Sequence, residues 1–495
     1  MIYDIAILGY GPTGATLANL LSAQGACVLV LERETAMYHL PRAVHFDDEA
    51  MRVFQTVGIA DDLVEQVHIN PGMKFVDDDD NLLLDWPRPQ EITSHGWHAS
   101  YRLHQPDLEK LLRQKLATEP TVTIVTRFNV TSLEDLGDRV GLIGASADSG
   151  KEICYEARYL VGCDGANSLT RHTIGAEMED FGFNERWLVV DLLLKRPRPD
   201  LGDHSVQFCN PDRPMTYCRS PGIRRRWEIT VKSGESDVEV TTPDCVWQFL
   251  SRWITPEDAN LERSAVYTFR SQVAKDWRKG RMLIAGDAAH LTPPFMGQGM
   301  CAGIRDAANL AWKLIACLND SSDDLLDTYQ DERAPHARAY VETAKNLGGL
   351  INSLDRQSAL QMAQEQGDGV AQMRSIAPRL GTSTLMNKAQ GAYVGRPFGQ
   401  IDLGKGQRGF DDIIGYGHAI ISPTRPTNMP ANAYWLDPDQ NASLASALDN
   451  LDAKVVWIRP DRYVGAVSDT GGDLLDALSA YIETGAQKQN ETSFP

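Results

Sequence analysis

The chain has 495 residues, of which 42% are apolar and 23% are charged, a composition typical of a folded globular protein and not of a disordered one. Its 67 acidic residues outnumber its 48 basic residues, which gives a formal charge of −19. A general nucleic-acid binder needs a basic face, so this charge argues against that class of function. The length corresponds to about three domains.

Apolar runs and cysteines indicate the compartment. No apolar run reaches the roughly 18 residues of a membrane helix, and residues 1–8 lack the basic lead and cleavage site of a signal peptide. The eight cysteines include no Cys-x-x-Cys pair, and none follows Cys317. A disulfide framework or a zinc site is therefore not expected. We expect a cytoplasmic protein without a metal ion, a membrane contact or a nucleic-acid partner.

A glycine-rich turn near the N-terminus lies between two apolar runs. Residues 2–8 predict a strand, the turn carries Gly9, Gly11 and Gly14, a helix follows, and a second apolar run ends at Glu32. In such a βαβ unit the glycines let the backbone approach a pyrophosphate, and the acid binds a ribose. This motif by itself fits NAD or FAD equally, and the alternative is a glycine turn without any ligand.

Two later segments each follow an apolar run. Residues 163–171 contain Asp-Gly-Ala-Asn-Ser, and residues 286–299 contain Gly-Asp-Ala-Ala-His followed by Pro-Pro and Gly-Gln-Gly. Together with residues 41–50 and 105–109, and with residues 326–337, they resemble the group A flavoprotein aromatic hydroxylases, the family of para-hydroxybenzoate hydroxylase. The resemblance is nearest to the 3-(3-hydroxyphenyl)propionate hydroxylase branch. It covers residues 1–345 strongly and the remainder loosely.

The resemblance implies non-covalently bound FAD and assigns roles to individual residues. Asp287 would bind the ribityl chain, Gln105 the ribityl and phosphate region, and Arg42 the pyrophosphate. Asp164 and Arg171 are the polar ends of a segment that lies at FAD and is also linked to nicotinamide contact. The expected FAD-binding residues are Gly9, Gly11, Pro12, Thr13, Gly14, Glu32, Arg33, Arg42, Gln105, Asp164, Gly165, Arg171, Gly286, Asp287, Pro294, Gly297, Gly299 and Met300.

The resemblance also implies a reaction. NADPH or NADH would reduce FAD, and reduced FAD would capture molecular oxygen as a hydroperoxide that transfers one oxygen atom to a phenol. Alternatives on the same fold are a hydroxylase of a polycyclic polyketide and a non-oxygenating flavin reductase. A third hypothesis is a carrier protein that has lost its redox site, but the intact glycine turn, Asp-Gly and Gly-Asp motifs argue against it. A homodimer is expected from the family.

Substrate contacts are expected between the flavin and a middle sheet. No catalytic residue is assigned, but the cavity candidates are His45, Tyr217, Arg219, Arg225, Trp227 and Pro293. For the four residues from 217 to 227, packing within the sheet or exposure to solvent is an equally good interpretation. His290 is interpreted as a core histidine. Cys301 stands where the family more often has asparagine, and we interpret it as a small structural residue.

The predicted fold is α/β, or α+β overall, with a Rossmann-like FAD-binding domain, an inserted antiparallel-sheet domain and a C-terminal thioredoxin-like domain without cysteines. Strands are predicted at 189–194, 217–218, 227–231 and within 453–465, and helices at 300–318, over most of 336–390 and at 472–483. Residues 77–80, four aspartates, predict a solvated turn. The predicted domains are 1–75, 100–182 and 275–345 for FAD, 76–99 and 183–274 for substrate, 346–395 as a helical connection, and 396–495 at the C-terminus.

Overall fold

The structure is a computed structural model of the whole chain. It describes residues 1–35, 42–319, 321–367, 369–386, 392–403, 409–426, 429 and 432–469. The helix predicted at 472–483 lies outside these residues. Among the helices of the described ranges, none combines the length and the apolar character needed to cross a membrane.

The strands are numbered in chain order. They are β1 (Ile2–Leu8), β2 (Val28–Leu31), β3 (His45–Asp47), β4 (His68–Ile69), β5 (Gly72–Val76), β6 (Leu82–Pro87), β7 (Ser100–Arg102), β8 (Val122–Val125), β9 (Phe128–Asp135), β10 (Val140–Ser146), β11 (Glu152–Gly162), β12 (Met178–Leu194), β13 (Ser205–Phe208), β14 (Met215–Arg219), β15 (Arg224–Thr230), β16 (Ala259–Ala274), β17 (Arg278–Lys279), β18 (Met282–Ile284), β19 (His290–Leu291), β20 (Ala371–Gln372), β21 (His418–Ile421), β22 (Ala433–Leu436), β23 (Val455–Ile458) and β24 (Val464–Ser468).

The α-helices are numbered in the same way. They are α1 (Pro12–Ser22), α2 (Asp48–Val57), α3 (Ala60–Val64), α4 (Gln105–Leu116), α5 (Leu169–Ile174), α6 (Asp237–Val240), α7 (Pro243–Leu250), α8 (Gly299–Leu318), α9 (Asp327–Ser353), α10 (Arg356–Gln366), α11 (Phe410–Ile414) and α12 (Ala442–Leu451).

The first sheet contains the predicted βαβ unit. Strands β8, β2, β1, β11 and β18 run parallel in that spatial order, and β9 and β10 extend β11 as an antiparallel meander. The parallel strands are rich in Val, Ile and Leu because helices cover both faces of such a sheet. Their carboxyl ends bring together the glycine turn after β1, the Asp-Gly segment after β11 and the Gly-Asp segment after β18. Ligands of doubly wound folds bind at this edge.

The second, nine-stranded sheet is called here the middle sheet. Its order is β19-β16-β12-β15-β14-β13-β5-β6-β20, and β12, β14, β15 and β16 pair antiparallel. The antiparallel layer predicted for this part of the chain is confirmed. The four aspartates at 77–80 form the turn between β5 and β6, where the Asp77 carboxylate accepts hydrogen bonds from the backbone of Asp79 and Asn81.

Side chains alternate between the two faces of the middle sheet. The outer face carries Val190, Leu192 and Ile229 and packs against α7 through Val246 and Leu250. The inner face carries Trp187, which packs with Phe183 and Phe295 in a different core. Since residue 295 follows the Gly-Asp segment, the inner face is the one that looks toward the motif-bearing edge of the first sheet.

The C-terminal part forms a separate four-stranded sheet, β22-β21-β23-β24, with α11 and α12 packed on it. Buried ion pairs and hydrogen bonds attach it to the rest of the protein, including Arg459 to Glu332 at 2.8 Å and Arg52 to Asp411 at 2.7 Å. The thioredoxin-like assignment and the domain boundaries stay predictions. The helical connection predicted over 346–395 is helical only to Gln366 within the described residues, and residues 373–386 contain no helix.

Candidate active site

The glycine turn is shaped by contacts that a side chain would destroy. Gly9 has a φ of +104°, and a Cβ there would lie 2.3 Å from the carbonyl oxygen of Cys163. A Cβ on Gly14 would lie 2.1 Å from the carbonyl oxygen of Gly9, whereas one on Gly11 would meet nothing within 4 Å. Two glycines therefore close the turn, and the third leaves its surface open to a ligand.

Helix α1 begins at Pro12 and Thr13, directly behind this open surface. Its N-cap is Gly11, and no side chain caps the first turn. The amides of that turn are donors available to a phosphate, and the helix dipole favours an anion there.

Glu32 lies just past the end of β2, as the sequence predicts. One of its carboxylate oxygens accepts a hydrogen bond from the Tyr10 amide at 2.8 Å, and the other accepts one from the Glu34 amide at 2.9 Å. These bonds fix the carboxylate beside the glycine turn and leave lone pairs for ribose hydroxyls. Arg33 is exposed and pairs with Glu34 at 3.2 Å.

Arg113 is a neighbour of the turn that sequence reasoning missed. Its Nη2 donates to the Tyr10 carbonyl at 2.7 Å, and its guanidinium carbon lies 4.2 Å from the centre of the Tyr10 ring. The sequence does contain a feature that indicates Arg113: it follows Glu109 by four residues on α4, the spacing of a helical ion pair. The two side chains pair at 3.5 Å in the structure.

Gln105 begins α4 and organises the segment that precedes β3. Its Oε1 accepts hydrogen bonds from the amides of Arg42 (3.0 Å) and Ala43 (2.7 Å), and its Nε2 donates to Glu109 at 2.8 Å. The exposed Arg42 side chain is held at the cleft edge in this way. Gln105 and Arg42 therefore act as one unit in the structure.

The Asp-Gly segment is fastened to the Gly-Asp segment by one buried arginine. The Asp164 carboxylate accepts hydrogen bonds from the Ser168 hydroxyl (2.5 Å) and the Thr170 amide (3.0 Å), which orders the turn that contains Gly165. Arg171 donates to the carbonyls of Ala166 (2.6 Å) and Ala288 (2.9 Å) and is 6% exposed. This burial shows that Arg171 does not form an exposed surface ion pair.

Asp287 projects into the cleft between these segments. Its side chain is exposed, but protein surrounds it, and this desolvation raises the pKa of the carboxyl, an effect that His290 and Arg42 oppose. An acceptor in such a cleft suits the hydroxyl groups of a ribityl chain.

His290 lies behind Asp287 in the core. It is 1% exposed, and its Nε2 lies 2.7 Å from Asp306, whose carboxylate also accepts from the Gly286 amide and from Arg333. This placement agrees with the interpretation of His290 as a core histidine.

His45 contacts the loop that carries Pro293, Pro294 and Gly297. Its Nδ1 lies 3.1 Å from the Gly297 carbonyl oxygen, and its Nε2 lies 2.7 Å from the Ser100 hydroxyl. Burial, reinforced by Arg88 and Arg102, lowers the pKa of His45 to about 3. The neutral ring therefore donates through Nδ1 and accepts through Nε2.

Arg305 braces the same loop from the other side. Its guanidinium binds Asp47 at 2.5 Å, Glu49 at 2.6 Å and the Gln298 side chain at 3.1 Å. Helix α8 begins at Gly299 and Met300, next to Gln298. The buried Cys301 thiol lies 3.8 Å from the Gly297 carbonyl, a weak contact consistent with a small structural residue.

The structure places four of the predicted cavity residues on the outer face of the middle sheet. Tyr217 is paired with Trp227, and Arg225 is paired with Leu192, so all of them share the outer face with Val190. Tyr217 and Trp227 belong to the core beneath α7, and Arg219 and Arg225 line a cavity of about 510 Å³ at one end of the sheet. The sequence placed them in a strand correctly, but which face of the strand looks toward the cleft depends on tertiary packing.

The inner face carries the polar residues that sequence reasoning missed. They are Asp191, Gln207, Thr216, Cys218, Arg226 and Glu228, and all are buried. Arg226 joins this face to the cleft, because its Nη1 donates to the Arg42 carbonyl at 2.8 Å. Only the strand register distinguishes these inner-face residues from the outer-face residues, and the sequence does not contain it.

The residues of the cleft fit FAD. An open glycine surface, a free helix N-terminus and a fixed acid beside them match a dinucleotide, and the exposed Asp287 matches the ribityl chain. The parallel sheet supplies this dinucleotide site, and the large antiparallel sheet packs beside it, which is the architecture of an FAD-binding enzyme.

Comparisons with known proteins identify the family. The family described as FAD binding domain matches residues 2–344, so the chain belongs to it, among the FAD-dependent aromatic hydroxylases. A probable NADH-specific resorcinol 4-hydroxylase of Rhodococcus jostii strain RHA1 is 45% identical over 72% of this chain and 67% of its own length. A 3-(3-hydroxy-phenyl)propionate/3-hydroxycinnamic acid hydroxylase of Burkholderia cenocepacia strain HI2424 is 31% identical over 99% of this chain and 98% of its own.

Solved structures confirm the fold over almost the whole chain. The flavin-dependent monooxygenase PieE, in complex with FAD and substrate, superposes with a TM-score of 0.81 at 18% identity, covering 98% of this chain and 99% of its own. Aklavinone-11 hydroxylase, in a complex with FAD and aklavinone, gives 0.78 at 22% identity, covering 97% and 99%. At these identities the likeness concerns the fold alone.

Proposed function

We propose that the protein is an NADH-dependent FAD monooxygenase that hydroxylates a monocyclic phenol. The observation that carries the proposal is the 45% identity to a relative named as a probable NADH-specific resorcinol 4-hydroxylase. The second relative, named for hydroxyphenylpropionate and hydroxycinnamate, is also named for a single phenolic ring. A cytoplasmic location and a homodimer stay predictions.

The glycine turn, Glu32 and Asp287 are proposed to hold FAD together with Gln105, Arg42 and the remaining expected FAD-binding residues. When bound, FAD supplies the oxygen-transfer chemistry, with molecular oxygen as co-substrate and a nicotinamide as reductant. The protein's own contribution is to bind, to orient and to exclude water.

Three groups of the chain are proposed to act at the flavin ring. The N-terminus of α8, held by Gln298 and Arg305, directs a partial positive charge toward the ring and favours negative charge on it. Pro293 is proposed to accept a hydrogen bond from the phenol hydroxyl through its carbonyl oxygen, which orients the ring and draws electron density onto the phenol oxygen. His45, neutral and fixed by two hydrogen bonds, orders the loop between them.

The test is oxidation of NADH and NADPH by the purified yellow holoenzyme in air, with resorcinol and with 3-(3-hydroxyphenyl)propionate. The expected result is faster oxidation of NADH than of NADPH, stimulated by the phenol, and a product one oxygen atom heavier by mass spectrometry. Buffer without enzyme and enzyme without phenol are the controls.

Oxidation that no monocyclic phenol stimulates, with peroxide as the only product, would contradict the proposal. Stimulation by a fused-ring aromatic compound in the same assay would then favour the polycyclic alternative.

A further inference from the structure

Arg102 is a buried arginine at the end of β7. Its side chain lies in the interior, with a residue exposure of 5%. Its Nη2 donates to the Ser205 hydroxyl, and its Nε is buried without any partner. Within the described ranges of the chain, Arg102 forms no ion pair with a carboxylate. An isolated buried charge costs several kcal/mol, so a group that is stably retained there needs an anionic partner.

Arg88 is a second cation close by. It follows β6, is half-buried, and its guanidinium carbon lies 4.3 Å from the centre of the Trp86 ring. It likewise forms no ion pair among the residues described. Burial lowers the pKa of Arg88 to about 10, and the positive charge of the nearby Arg102 adds to this effect.

The strand register locates Arg102 beside the cleft. His45 on β3 lies directly opposite Arg102 on β7 in the three-stranded sheet β3-β7-β4, so the two side chains project from the same face of that sheet. His45 contacts the Gly297 loop, while Arg102 reaches Ser205, the first residue of β13 in the middle sheet. The Arg102 guanidinium therefore reaches the inner face of the middle sheet, and its strand partner His45 reaches the loop. The substrate is expected between the loop and the inner face.

The other cations of the inner face are already neutralised. Arg226 pairs with Asp191 at 2.8 Å and with Glu228 at 3.7 Å, and Arg263 pairs with Asp191 at 2.5 Å. Burial lowers the pKa of Arg102, an effect that the nearby Glu228 opposes, but the ion pair of Glu228 is with Arg226. The two inner-face carboxylates are thus engaged by two arginines, which leaves the positive charge of Arg102 and Arg88 for a ligand.

We propose that Arg102, assisted by Arg88, binds an anionic oxygen of the aromatic substrate, either a carboxylate or a phenolate. This inference rests on the proposed function and names the substrate class more narrowly: a phenol that carries a negative charge when bound. A guanidinium suits this task because its planar donors bind carboxylate and phenolate oxygens through charge-assisted hydrogen bonds.

The test is calorimetric titration of the holoenzyme with phenols in the absence of nicotinamide, so that binding is measured without turnover. The ligands are 3-(3-hydroxyphenyl)propionate, its neutral alcohol 3-(3-hydroxyphenyl)propan-1-ol, and resorcinol. Arg102→Met is expected to weaken binding of at least one of them by roughly 10- to 100-fold. A loss confined to the propionate identifies a carboxylate, and an equal loss for all three ligands identifies a phenolate.

Thermal unfolding separates this role from a structural one. Because Arg102→Met removes a buried charge without a carboxylate partner, its melting temperature is expected to stay equal to or above that of the wild type. Arg226→Met is the matched control on the same face, and it is expected to melt lower because Asp191 and Glu228 lose a partner. Arg88→Met, at the half-buried position, is expected to weaken the same ligand several-fold.

Two results would overturn the inference. Unchanged affinities in Arg102→Met and Arg88→Met would do so while leaving the proposed function intact, provided that the wild type binds these phenols. A melting temperature of Arg102→Met as low as that of Arg226→Met, with unchanged binding in Arg88→Met, would assign Arg102 to the fold. Absence of binding to the wild type would instead contradict the proposed function itself.

Discussion

The phenol of Tyr463 donates a hydrogen bond to Glu49, so the C-terminal sheet touches the start of α2. Glu49 in turn binds Arg305, which binds Asp47 and Gln298 beside the Gly297 loop. A chain of direct contacts therefore connects β24 and its preceding turn to the loop on which the flavin ring is proposed to rest.

Tyr463→Phe tests this connection. Removal of the hydroxyl leaves the partly buried Glu49 oxygen without its donor, at a cost of about 1.5 kcal/mol. We expect a melting temperature lower by about 1.5 °C and weaker FAD retention, measured by thermal unfolding and by flavin release during dialysis. Tyr434→Phe, at an exposed position in the same sheet, is the control and is expected to change neither.

The glycine turn yields a matched pair of substitutions. Gly14→Ala places a Cβ 2.1 Å from a carbonyl oxygen, so the turn must open and the apoprotein is expected to lose stability. Gly11→Ala meets no protein atom, so the apoprotein is expected to keep its melting temperature while its affinity for FAD falls at least roughly tenfold. Fluorescence titration of apoprotein with FAD measures the second effect. An unchanged FAD affinity in Gly11→Ala would show that the surface of the turn at Gly11 does not contact the cofactor.

Tyr217→Phe tests the corrected face assignment. The Tyr217 hydroxyl is buried without a hydrogen-bond partner among the described residues, and its ring packs 4.8 Å from the Trp227 ring centre beneath α7. Its removal is therefore expected to change stability by less than about 1 kcal/mol and to leave the affinity for every phenol unchanged. If any phenol binds Tyr217→Phe tenfold more weakly than the wild type, Tyr217 contacts the substrate and belongs to the cavity.

The stability of the protein is expected to fall with pH below neutrality because of buried histidines. Burial lowers the pKa of His418 to about 3, below its value near 6.5 in the unfolded chain. Since the unfolded state binds the proton first, the stabilisation is complete above pH ~6.5 and is lost as the pH falls toward 3, at up to ~1.4 kcal/mol per pH unit.

The check for His418 is the melting temperature between pH 7 and pH 5, in the wild type and in His418→Gln. The melting temperature of the variant is expected to depend less steeply on pH than that of the wild type, because the variant lacks the proton uptake of His418 on unfolding. His172, which lies near the surface on α5, supplies the control substitution His172→Gln, for which the wild-type slope is expected to persist. Parallel curves for all three proteins would contradict the assignment.

The sequence by itself determined the cofactor edge of this protein. Gly9, Gly14 and Glu32 are read directly because a tight turn and a ribose-binding acid demand particular residues at particular spacings, and the structure brings them together with Asp164 and Asp287. The strands of the middle sheet were also predicted, since apolar runs between turn residues mark strands locally.

Only the tertiary structure decided which side chains look toward the substrate. Both faces of β14 and β15 are buried. The alternation of side chains along a strand puts Tyr217 and Trp227 on one face and Thr216 and Glu228 on the other, but it does not show which face contacts the cleft. Arg102 illustrates the same limit, because its lack of a carboxylate partner among the described residues depends on Asp191 and Glu228 being engaged by other arginines, and Asp191 is 35 and 72 residues away from its partners Arg226 and Arg263. Such long-range pairing is a property of the packed fold and leaves no periodic trace in the sequence.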